Sequence, residues 1–384
     1  MQKPNYTSRI AEKTIKRYLS AFPVLGVSGP RQSGKSTLLQ HMLPDYRYVT
    51  FDDLRNVDYF HDDPVGFMKE YHDRVIFDEV QFVPEIFHHI KIAVDNDRKC
   101  YGKFVLTGSS QFAYLQKASE SLAGRMGLFN LLPYQYSELP SSCVKDSIFK
   151  GSYPELVNRD YYESDLWYAS YIDTYIQKDV RALANIGDLR DFRKLIHLLA
   201  ANVAKLLDYT EHARAIGVSV PTIKRWISIL EASFIIFLLP AYHNNFGKRI
   251  IKSPKIYFHD TGLVSFLTGI HSFEQYDKGP MAGSIFENYV ISEVLKKEKH
   301  LATMSELYFL RTSAKKEIDL IIDRKNHKEM IEIKKSKTFK SSFVATVKEF
   351  LGKNDVGYLL YGGEKYPYQD NIKVLCYSDY LNDV

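Results

Sequence analysis

The stretch Gly29–Thr37 constrains the fold of this chain more than any other. Its sequence, Gly-Pro-Arg-Gln-Ser-Gly-Lys-Ser-Thr, has the spacing of glycine, four residues and then Gly-Lys-Ser/Thr that builds a phosphate-binding loop. Gly29 and Gly34 let the backbone turn and approach a phosphate closely, because no Cβ stands in the way. The backbone amides of such a loop point inward and bind an anion. The predicted binding residues are Gly29, Pro30, Arg31, Gln32, Ser33, Gly34, Lys35, Ser36 and Thr37.

Three side chains of this loop have predicted roles. Lys35 would reach the β- and γ-phosphates of a nucleotide and contribute to catalysis, and the Ser36 hydroxyl would ligate Mg²⁺. Thr37 would begin a helix whose positive N-terminal end adds to the anion site. The flanks fit, because residues 22–28 form an apolar run typical of a buried strand and residues 36–43 keep helical spacing. The alternative, a glycine-rich turn with an accidental lysine, leaves these flanks unexplained.

A second apolar run, residues 74–79, ends in two acids, Asp78 and Glu79. In phosphate-loop enzymes that hydrolyse nucleotides, this pattern places the aspartate beside Mg²⁺ and the glutamate beside the attacking water. We therefore expect Asp78 to hold the metal, through water, and Glu79 to act as the general base. Acids at the end of a strand are also common at protein surfaces, so the functional interpretation depends on the phosphate loop upstream.

Further candidates lie near the next two apolar runs. Thr107 and Ser109 end the run that begins at Lys103, where a side chain could sense the γ-phosphate; the alternative is that they only turn the chain. Arg125 follows a glycine and precedes the apolar residues 128–132. It is a candidate arginine finger or sensor, acting in cis or on a neighbouring subunit of a homo-oligomer. The alternative for Arg125 is a structural salt bridge.

Several segments together resemble one protein family. They read GPRQSGKST, VIFDEVQ, LTGSS and SLAGRMGLFNLLPYQYSEL. They look like a prokaryotic family of AAA-type P-loop ATPases with a C-terminal domain of unknown function that carries a restriction-endonuclease-like pattern. The similarity continues through YIDTYIQKDV and GSIFENYVISEV, so it covers nearly the whole chain. The resemblance implies an ATP-binding α/β core and a C-terminal module; with the loop and the acids, the expected cofactors are ATP and Mg²⁺.

The residues between the core and the C-terminal module predict a winged helix. Two helical patterns, residues 208–219 and 220–230, meet at a glycine turn, and two apolar runs, residues 234–242 and 250–258, flank a polar turn. Helix-turn-helix followed by a hairpin is the order of a winged helix. Cations on its second helix and wing could contact DNA phosphates. They are Lys224, Arg225, Lys248, Arg249, Lys252 and Lys255. The alternative is a structural lid or a subunit contact.

The C-terminal residues predict the element order α-β-β-β-α-β of a restriction-endonuclease-like fold. Two neighbouring strands would carry Asp319, Glu332 and Lys334, and the preceding helix would carry Glu287. Glu332 and Lys334 share a face because side chains alternate along a strand. Carboxylates in this pattern hold Mg²⁺, and a lysine would position water or stabilise the transition state. Two alternatives stay open: a solvent-facing strand that only resembles the pattern, and a nuclease fold kept as a binding module without activity.

Length and composition bound the organisation of the protein. The 384 residues divide into residues 1–137 for the AAA-type core, 138–262 for a helical lid and winged helix, and 263–384 for the nuclease-like domain. The formal net charge of +5 is compatible with nucleic acid and is weak support for it. The cysteines have no metal-binding spacing, and the longest apolar run is too short for a bilayer. We expect a cytoplasmic protein with no membrane partner.

Three functional hypotheses follow from these patterns. The first is an Mg²⁺-dependent ATPase that acts as a nucleotide-driven motor or switch on a nucleic-acid-related target, with ATP and DNA as partners. The second is a regulatory switch that binds a protein partner and keeps an inactive nuclease-like fold. The third is an ATP-regulated, metal-dependent nuclease.

Overall fold

The computed structural model describes residues 6–108, 122–175, 189–242, 253–369 and 371–383. The N-terminal strands are β1 (Val24–Ser28), β2 (Arg47–Thr50), β3 (Val75–Asp78), β4 (Phe104–Thr107) and β5 (Met126–Asn130). They form one parallel sheet of five strands in the order β2-β3-β4-β1-β5. β1, β3 and β4 lie in its middle and are buried throughout. Because both faces of these strands are covered, their sequences are nearly continuous apolar runs.

Helices cover the two faces of this sheet. They are α1 (Ala11–Ala21), α2 (Lys35–Met42), α3 (Leu54–Asp62), α4 (Pro64–Glu70) and α5 (Ile86–Asp95). Ile15 of α1 and Leu38 of α2 pack with Val27 in one core, and Phe67 of α4 packs with Phe77 in a second core. The parallel direction brings the carboxyl ends of β1, β3 and β4 to one edge, where such folds bind ligands. This sheet confirms the predicted α/β class of the N-terminal region.

The region that follows is mostly helical where it is described. Its helices are α6 (Val144–Lys150), α7 (Pro154–Asn158), α8 (Ser164–Tyr175), α9 (Leu189–Ala201), α10 (Tyr209–Ile216), α11 (Val220–Ala232), α12 (Thr261–Leu267) and α13 (Phe273–Lys278). Two strands, β6 (Ile236–Leu239) and β7 (Lys255–Phe258), pair antiparallel.

The predicted helix-turn-helix corresponds to α10 and α11. Gly217 between them has a φ of +87°, the left-handed conformation that favours glycine. Ser219 Oγ accepts from the backbone N of Thr222 at 3.3 Å and caps α11. The hairpin β6–β7 follows, but its predicted turn, residues 244–248, lies outside the described residues. The winged-helix assignment therefore stays a prediction.

The C-terminal region is a mixed sheet with flanking helices. Its elements are α14 (Ala282–Leu301), β8 (Glu306–Arg311), β9 (Glu317–Asp323), β10 (Lys328–Lys334), α15 (Ala345–Phe350), β11 (Val356–Tyr361), β12 (Tyr366–Gln369), β13 (Ile372–Cys376) and α16 (Tyr377–Asn382). The six strands lie in the order β12-β13-β11-β10-β9-β8, and β10, β11 and β13 run parallel. The predicted order α-β-β-β-α-β is present, followed by further strands and a helix. The restriction-endonuclease-like assignment stays a prediction.

Helix α14 connects the three regions. It contacts α1 and β5 of the N-terminal sheet, β7 of the hairpin and β10 of the C-terminal sheet. Because it is covered by all of these elements, polar side chains such as Glu293, Lys296 and His300 are buried. Buried charges need partners, and α14 finds them in the neighbouring regions. No helix within the described residues has the length and apolar character needed to cross a membrane.

Candidate functional site

The predicted phosphate loop connects the end of β1 to the start of α2. Gly29 and Gly34 have φ values of +149° and +90°. A Cβ on Gly29 would also lie 2.0 Å from the backbone oxygen of Leu131, so this position requires glycine. Lys35 Nζ donates to the carbonyl oxygens of Gly29 and Pro30 at 3.0 and 2.9 Å. The ammonium group is therefore held inside the loop.

A cavity of about 420 Å³ adjoins this loop. It is lined by loop residues, by the predicted base and by two residues of α8: Arg31, Gln32, Gly34, Lys35, Ser36, Thr37, Glu79, Tyr171 and Thr174. The backbone amides, the lysine and the N-terminus of α2 suit the cavity to phosphate groups. The sequence analysis assigned no role to Tyr171 or Thr174, because the segment YIDTYIQKDV that contains them was used only for the family resemblance, and α8 reaches the loop only through the tertiary fold.

Ser36 and Asp78 meet at the edge of the sheet. Ser36 Oγ donates to Asp78 Oδ2 at 2.9 Å, and the backbone N of Glu79 donates to Asp78 Oδ1 at 3.1 Å. Tyr48 of β2 also donates its hydroxyl proton to Asp78 Oδ2. Asp78 itself is buried. Hydroxyl and carboxylate oxygens are the ligands that Mg²⁺ prefers, so these residues fit the expected metal.

Glu79 follows Asp78 and lines the same cavity. Its φ of +56° is uncommon for a residue with a Cβ. Gln81 Nε2 donates to Glu79 Oε2, and Gln81 packs against Gly108, where an added Cβ would lie 2.5 Å from Gln81 Oε1. Gln81 thus connects the predicted base to the end of β4. This contact could not be predicted from the sequence, where Gln81 is only a neighbour of the acid pair.

Thr107, the first of the two predicted sensors, is fully buried at the end of β4. It pairs in register with Val27 of β1, and β4 lies between β1 and β3. Thr107 therefore lies between the strand that leads into the loop and the strand that carries the acids. Its hydroxyl has no hydrogen-bond partner among the described residues. Ser109, the second predicted sensor, lies outside the described residues.

Arg125 lies at the opposite edge of the sheet. The backbone N of Val24 donates to the oxygen of Arg125 at 3.1 Å, which places Arg125 at the start of β1, roughly 16 Å along the strand from Gly29 at about 3.3 Å per residue. Its guanidinium binds Asp95 through Nε at 2.8 Å and Nη2 at 3.0 Å. A role in cis at the phosphates is incompatible with this position, so a finger in trans and a structural salt bridge are the roles that remain.

A second cavity, of about 450 Å³, lies on the other side of the loop. It shares Gln32, Gly34 and Thr37 with the first cavity. Its other lining residues come from the start of the chain, α2 and the region around α7: Tyr6, Thr7, Arg9, Leu38, Tyr134, Pro154, Glu155, Asn158 and Arg159. The mixed apolar and polar lining and the position beside the loop suit a nucleoside.

The structure brings together the four predicted residues of the C-terminal region. Glu287 comes from α14, Asp319 from β9, and Glu332 and Lys334 from β10. Lys334 Nζ lies 2.5 Å from Glu332 Oε1 and 3.9 Å from Asp319 Oδ2. The backbone N of Ile333 donates to Asp319 Oδ2 at 2.9 Å. This hydrogen bond fixes the carboxylate of β9 against the neighbouring strand.

Lys255 of β7 lies among the same acids. Its Nζ is 2.9 Å from Glu287 Oε1 and 3.9 Å from Asp319 Oδ1, and it pairs with Glu317. Tyr257 donates its hydroxyl proton to Glu287 Oε1 at 2.7 Å. The interpretation of Lys255 as a DNA-contacting wing residue is wrong, because its ammonium is buried and ion-paired. Ion pairs join six residues here, and we call them the acid–lysine cluster: Glu287, Glu317, Asp319, Glu332, Lys255 and Lys334.

Two carboxyl groups of the acid–lysine cluster have raised pKa values. Burial, reinforced by the charge of Asp319, raises the pKa of Glu287 to about 7 and that of Glu332 to about 8. Within the described ranges, no three His, Cys, Asp or Glu side chains are placed so that they could hold a metal ion. The positive charge among these acids comes from the ammonium group of Lys255. This arrangement does not fit the metal-ligand prediction for Glu287, Asp319 and Glu332.

Family models match three consecutive parts of the chain. Residues 21–140 match a model described as AAA domain. The N-terminal region has the fold of an AAA-type P-loop ATPase. Residues 142–274 and 282–380, which follow the AAA domain, match two domains of unknown function, DUF8612 and DUF4143.

The chain is also similar to proteins from Mycobacterium tuberculosis and Haemophilus influenzae. The chain is 29% identical over 332 residues to an uncharacterized protein of Mycobacterium tuberculosis, covering 86% of this chain and 74% of the relative. It is 23% identical over 310 residues to an uncharacterized protein of Haemophilus influenzae, covering 71% of this chain and 74% of the relative.

Two solved structures are among those similar to the chain. A Walker-type ATPase of Pyrococcus abyssi has a TM-score of 0.45 and 13% identity, covering 70% of this chain and 99% of that chain. RuvB of Thermotoga maritima has a TM-score of 0.30 and 14% identity, covering 60% and 87%.

Arg9 links the phosphate loop of the AAA domain to the segment after β5. Its Nη1 donates to the carbonyl oxygen of Ser33 at 3.1 Å, and its Nη2 donates to that of Leu132 at 2.7 Å. Arg9 Nε also pairs with Glu138 at 3.0 Å, where both side chains are buried. The backbone N of Leu132 in turn donates to His300 Nε2 of α14 at 3.0 Å. The loop and α14 are thus joined through buried hydrogen bonds.

Lys296 of α14 adds a second connection to the AAA domain. Its Nζ donates to the carbonyl oxygen of Tyr134 at 3.1 Å, to Ser152 Oγ at 2.6 Å and to Glu293 Oε1 at 2.5 Å. Because α14 also carries Glu287, one helix contacts both the AAA domain and the acid–lysine cluster.

Proposed function

We propose that this protein binds ATP with Mg²⁺ and hydrolyses it, acting as a nucleotide-driven switch or motor. The observation that carries the proposal is the hydrogen bond between Ser36 and Asp78 beside the Lys35 loop, with Glu79 in the same cavity. Phosphoryl transfer to water depends on groups that position the reactants and stabilise charge. The serine hydroxyl, the aspartate, the lysine and the glutamate of this site are groups of that kind.

Each residue of the site has one proposed task. The loop amides and Lys35 bind the β- and γ-phosphates, and Ser36 and Asp78 hold Mg²⁺, which neutralises charge that develops on the phosphate oxygens. Glu79 accepts a proton from the attacking water. Its carboxylate is held by Gln81, which keeps it directed at one place in the cavity. The second cavity receives the nucleoside, since it shares three loop residues with the phosphate cavity.

Two substitutions test this proposal. Lys35→Ala removes the charge that faces the phosphates, so binding of a fluorescent ATP analogue should weaken at least tenfold, in line with the loss of a charge-assisted contact. Glu79→Gln should bind the analogue as tightly as the unchanged protein and lose hydrolysis, because it removes only the base. Lys13→Ala on the exposed face of α1 is the matched control. Normal hydrolysis by the Glu79→Gln protein would refute the assigned role.

For the target of the switch we propose a nucleic acid. This part of the proposal is supported by the helix-turn-helix, whose second helix exposes Lys224 and Arg225 to solvent, as expected for a helix that approaches DNA phosphates. The test is the ATP hydrolysis rate with and without DNA. Stimulation that is lost in a Lys224→Ala/Arg225→Ala protein, but kept in a Lys13→Ala/Lys16→Ala protein, supports a nucleic-acid target. A rate that DNA does not change would favour a structural lid.

A second candidate is a regulatory switch whose nuclease-like fold only binds a protein partner. The observation that favours it is Lys255, which lies among Glu287, Glu317 and Asp319 where a nuclease would need a metal. Metal-dependent nicking of plasmid DNA, lost on Asp319→Asn, would contradict this candidate and support the third hypothesis, an ATP-regulated nuclease. Absence of nicking at any Mg²⁺ or Mn²⁺ concentration is the result we expect.

A further inference from the structure

Tyr48 of β2 contacts the predicted metal-binding acid directly. Its hydroxyl donates to Asp78 Oδ2, the same oxygen that accepts from Ser36 Oγ at 2.9 Å. The other carboxylate oxygen accepts from the backbone N of Glu79 at 3.1 Å. Both oxygens of Asp78 are therefore fixed, and Tyr48 is the one donor among these three that belongs to neither the loop nor the acid pair.

The position of Tyr48 follows from strand register. β2 and β3 are parallel, with Tyr48 beside Ile76 and Thr50 beside Asp78. Side chains two residues apart lie on the same face of a sheet. The ring of Tyr48 therefore starts on the same face as Asp78, two residues before it, and its length brings the hydroxyl to the carboxylate. Because two residues of a strand span about 6.6 Å, a serine or threonine at this place would be too short to reach Asp78 along the strand.

We infer that Tyr48 is a positioning residue of the Mg²⁺ site, which orients the Asp78 carboxylate toward the metal that accompanies ATP. The inference rests on the proposed ATPase function and adds a residue to it. Tyr48 acts through Asp78, because a neutral phenol that donates its proton to the carboxylate is not itself a metal ligand. Partners of this kind hold a ligand in one orientation and strengthen its binding to the metal.

Two features separate positioning from simple packing. Tyr48 is 37% exposed, so this residue contributes little to the core. When Ser36 Oγ turns a lone pair to Mg²⁺, the hydroxyl of Tyr48 can continue to donate to Asp78 Oδ2. Removing such a partner typically costs tenfold to a hundredfold in metal affinity. Because water can reach the partly exposed Tyr48, we expect the lower end of that range, about tenfold.

The test compares Tyr48→Phe with Tyr46→Phe. Tyr46 is the matched control, since its hydroxyl donates to the carbonyl oxygen of Gly102 at 2.6 Å, away from Asp78. Binding of a fluorescent ATP analogue is measured in EDTA and again across a Mg²⁺ titration. Tyr48→Phe should bind the analogue normally in EDTA and need about tenfold more Mg²⁺ for the metal-dependent gain in affinity. Tyr46→Phe should match the unchanged protein in both measurements.

The same data distinguish failure of the inference from failure of the proposed function. An unchanged Mg²⁺ requirement in Tyr48→Phe, or an equal shift in Tyr46→Phe, overturns the positioning role while ATP binding stands. No analogue binding by the unsubstituted protein overturns both. A double-mutant cycle supplies an independent readout, because Tyr48→Phe should add no further loss in an Asp78→Asn background if it acts through that carboxylate. Additive losses would overturn the role.

Discussion

Lys255 Nζ lies 2.9 Å from Glu287 Oε1, so a buried ion pair joins β7 to α14. Lys255 also pairs with Glu317 of β9, and only 2% of its side chain is exposed. Burial alone would lower the pKa of this ammonium, but the surrounding carboxylates Glu287, Asp319 and Glu317 raise it above its ordinary value. One lysine therefore ties the hairpin of the middle region to two elements of the C-terminal region.

The first prediction concerns this lysine. Lys255→Met leaves the buried Asp319 and the partly buried Glu287 and Glu317 with one cation fewer, so the free energy of unfolding should fall by about 3 kcal/mol or more. The loss should be smaller at pH 5 than at pH 8, because protonation of the carboxyl groups then removes the unpaired charge. Urea unfolding at the two pH values measures both effects.

The control for this prediction is Lys316→Met. Lys316 pairs with Glu349, but both side chains are about half exposed, at 46% and 49%. An exposed pair of this kind contributes about 1 kcal/mol or less. Equal losses for the two substitutions would contradict the structural role of Lys255.

The parts of the site that could be predicted from the sequence are those that local chemistry defines. Gly29–Thr37 needs its glycines for backbone geometry, and the acids at residues 78 and 79 follow a buried strand, so both could be placed without a tertiary structure. The convergence of Asp319 with Glu332 also follows from neighbouring strands and alternating side chains.

The parts that could not be predicted depend on contacts between distant segments. Tyr48, Arg9 and Lys255 belong to no catalytic motif, and nothing in the neighbouring sequence indicates which residues they contact. Arg125 illustrates the converse error, because its local pattern suggested a role at the phosphates. Since β5 runs parallel to β1, a residue that precedes β5 lies at the amino edge of the sheet, opposite the loop.

The second prediction concerns Arg125. Its ion pair with Asp95 is partly exposed, so Arg125→Ala should lower the free energy of unfolding by about 1 kcal/mol and leave ATP binding and hydrolysis within twofold. The measurements are urea unfolding and the steady-state ATPase rate. Arg98→Ala is the control, because Arg98 binds the same Asp95 at 3.1 Å and is more exposed.

A finger in trans would give a different result for Arg125→Ala. Hydrolysis would then fall while ATP binding stays intact, and mixing with the Lys35→Ala protein would restore activity, since one intact composite site can form at a mixed interface. Such rescue would establish that a neighbouring subunit contributes Arg125 and would contradict the structural interpretation.

The third prediction is a pH dependence of stability due to His300. This residue is fully buried, and burial, with the charges of Arg9 and Lys296 adding, holds its pKa well below its ordinary value. A histidine with a depressed pKa contributes stability above its unfolded pKa, about 6.5, and this stability is lost as the pH falls below that value. Protonation would also remove the acceptor of the Leu132 N–H group.

His300→Gln tests this assignment, because the glutamine oxygen can accept the same N–H group and does not titrate. The decrease in unfolding free energy from pH 7 to pH 5 should be smaller in His300→Gln than in the unsubstituted protein. His72→Gln, at an exposed position, should leave the decrease unchanged. Identical pH profiles for His300→Gln and the unsubstituted chain would show that another group causes the decrease.

The last prediction concerns divalent metal at the acid–lysine cluster. Lys255 already offsets the charge of the acids, so Mn²⁺ should not stabilise this cluster in the unsubstituted chain. The AAA domain is expected to bind metal as well, and a Ser36→Ala/Asp78→Asn background removes that contribution. In this background, Mn²⁺ should leave the melting temperature unchanged.

Adding Lys255→Met to this background should create an increase of the melting temperature with Mn²⁺, because a bound cation stabilises the folded state by mass action and replaces the lost ammonium charge. Asp319→Asn should abolish that response. If Mn²⁺ raised the melting temperature of the protein that keeps Lys255, the acids would accept a metal beside the lysine, as an active nuclease requires.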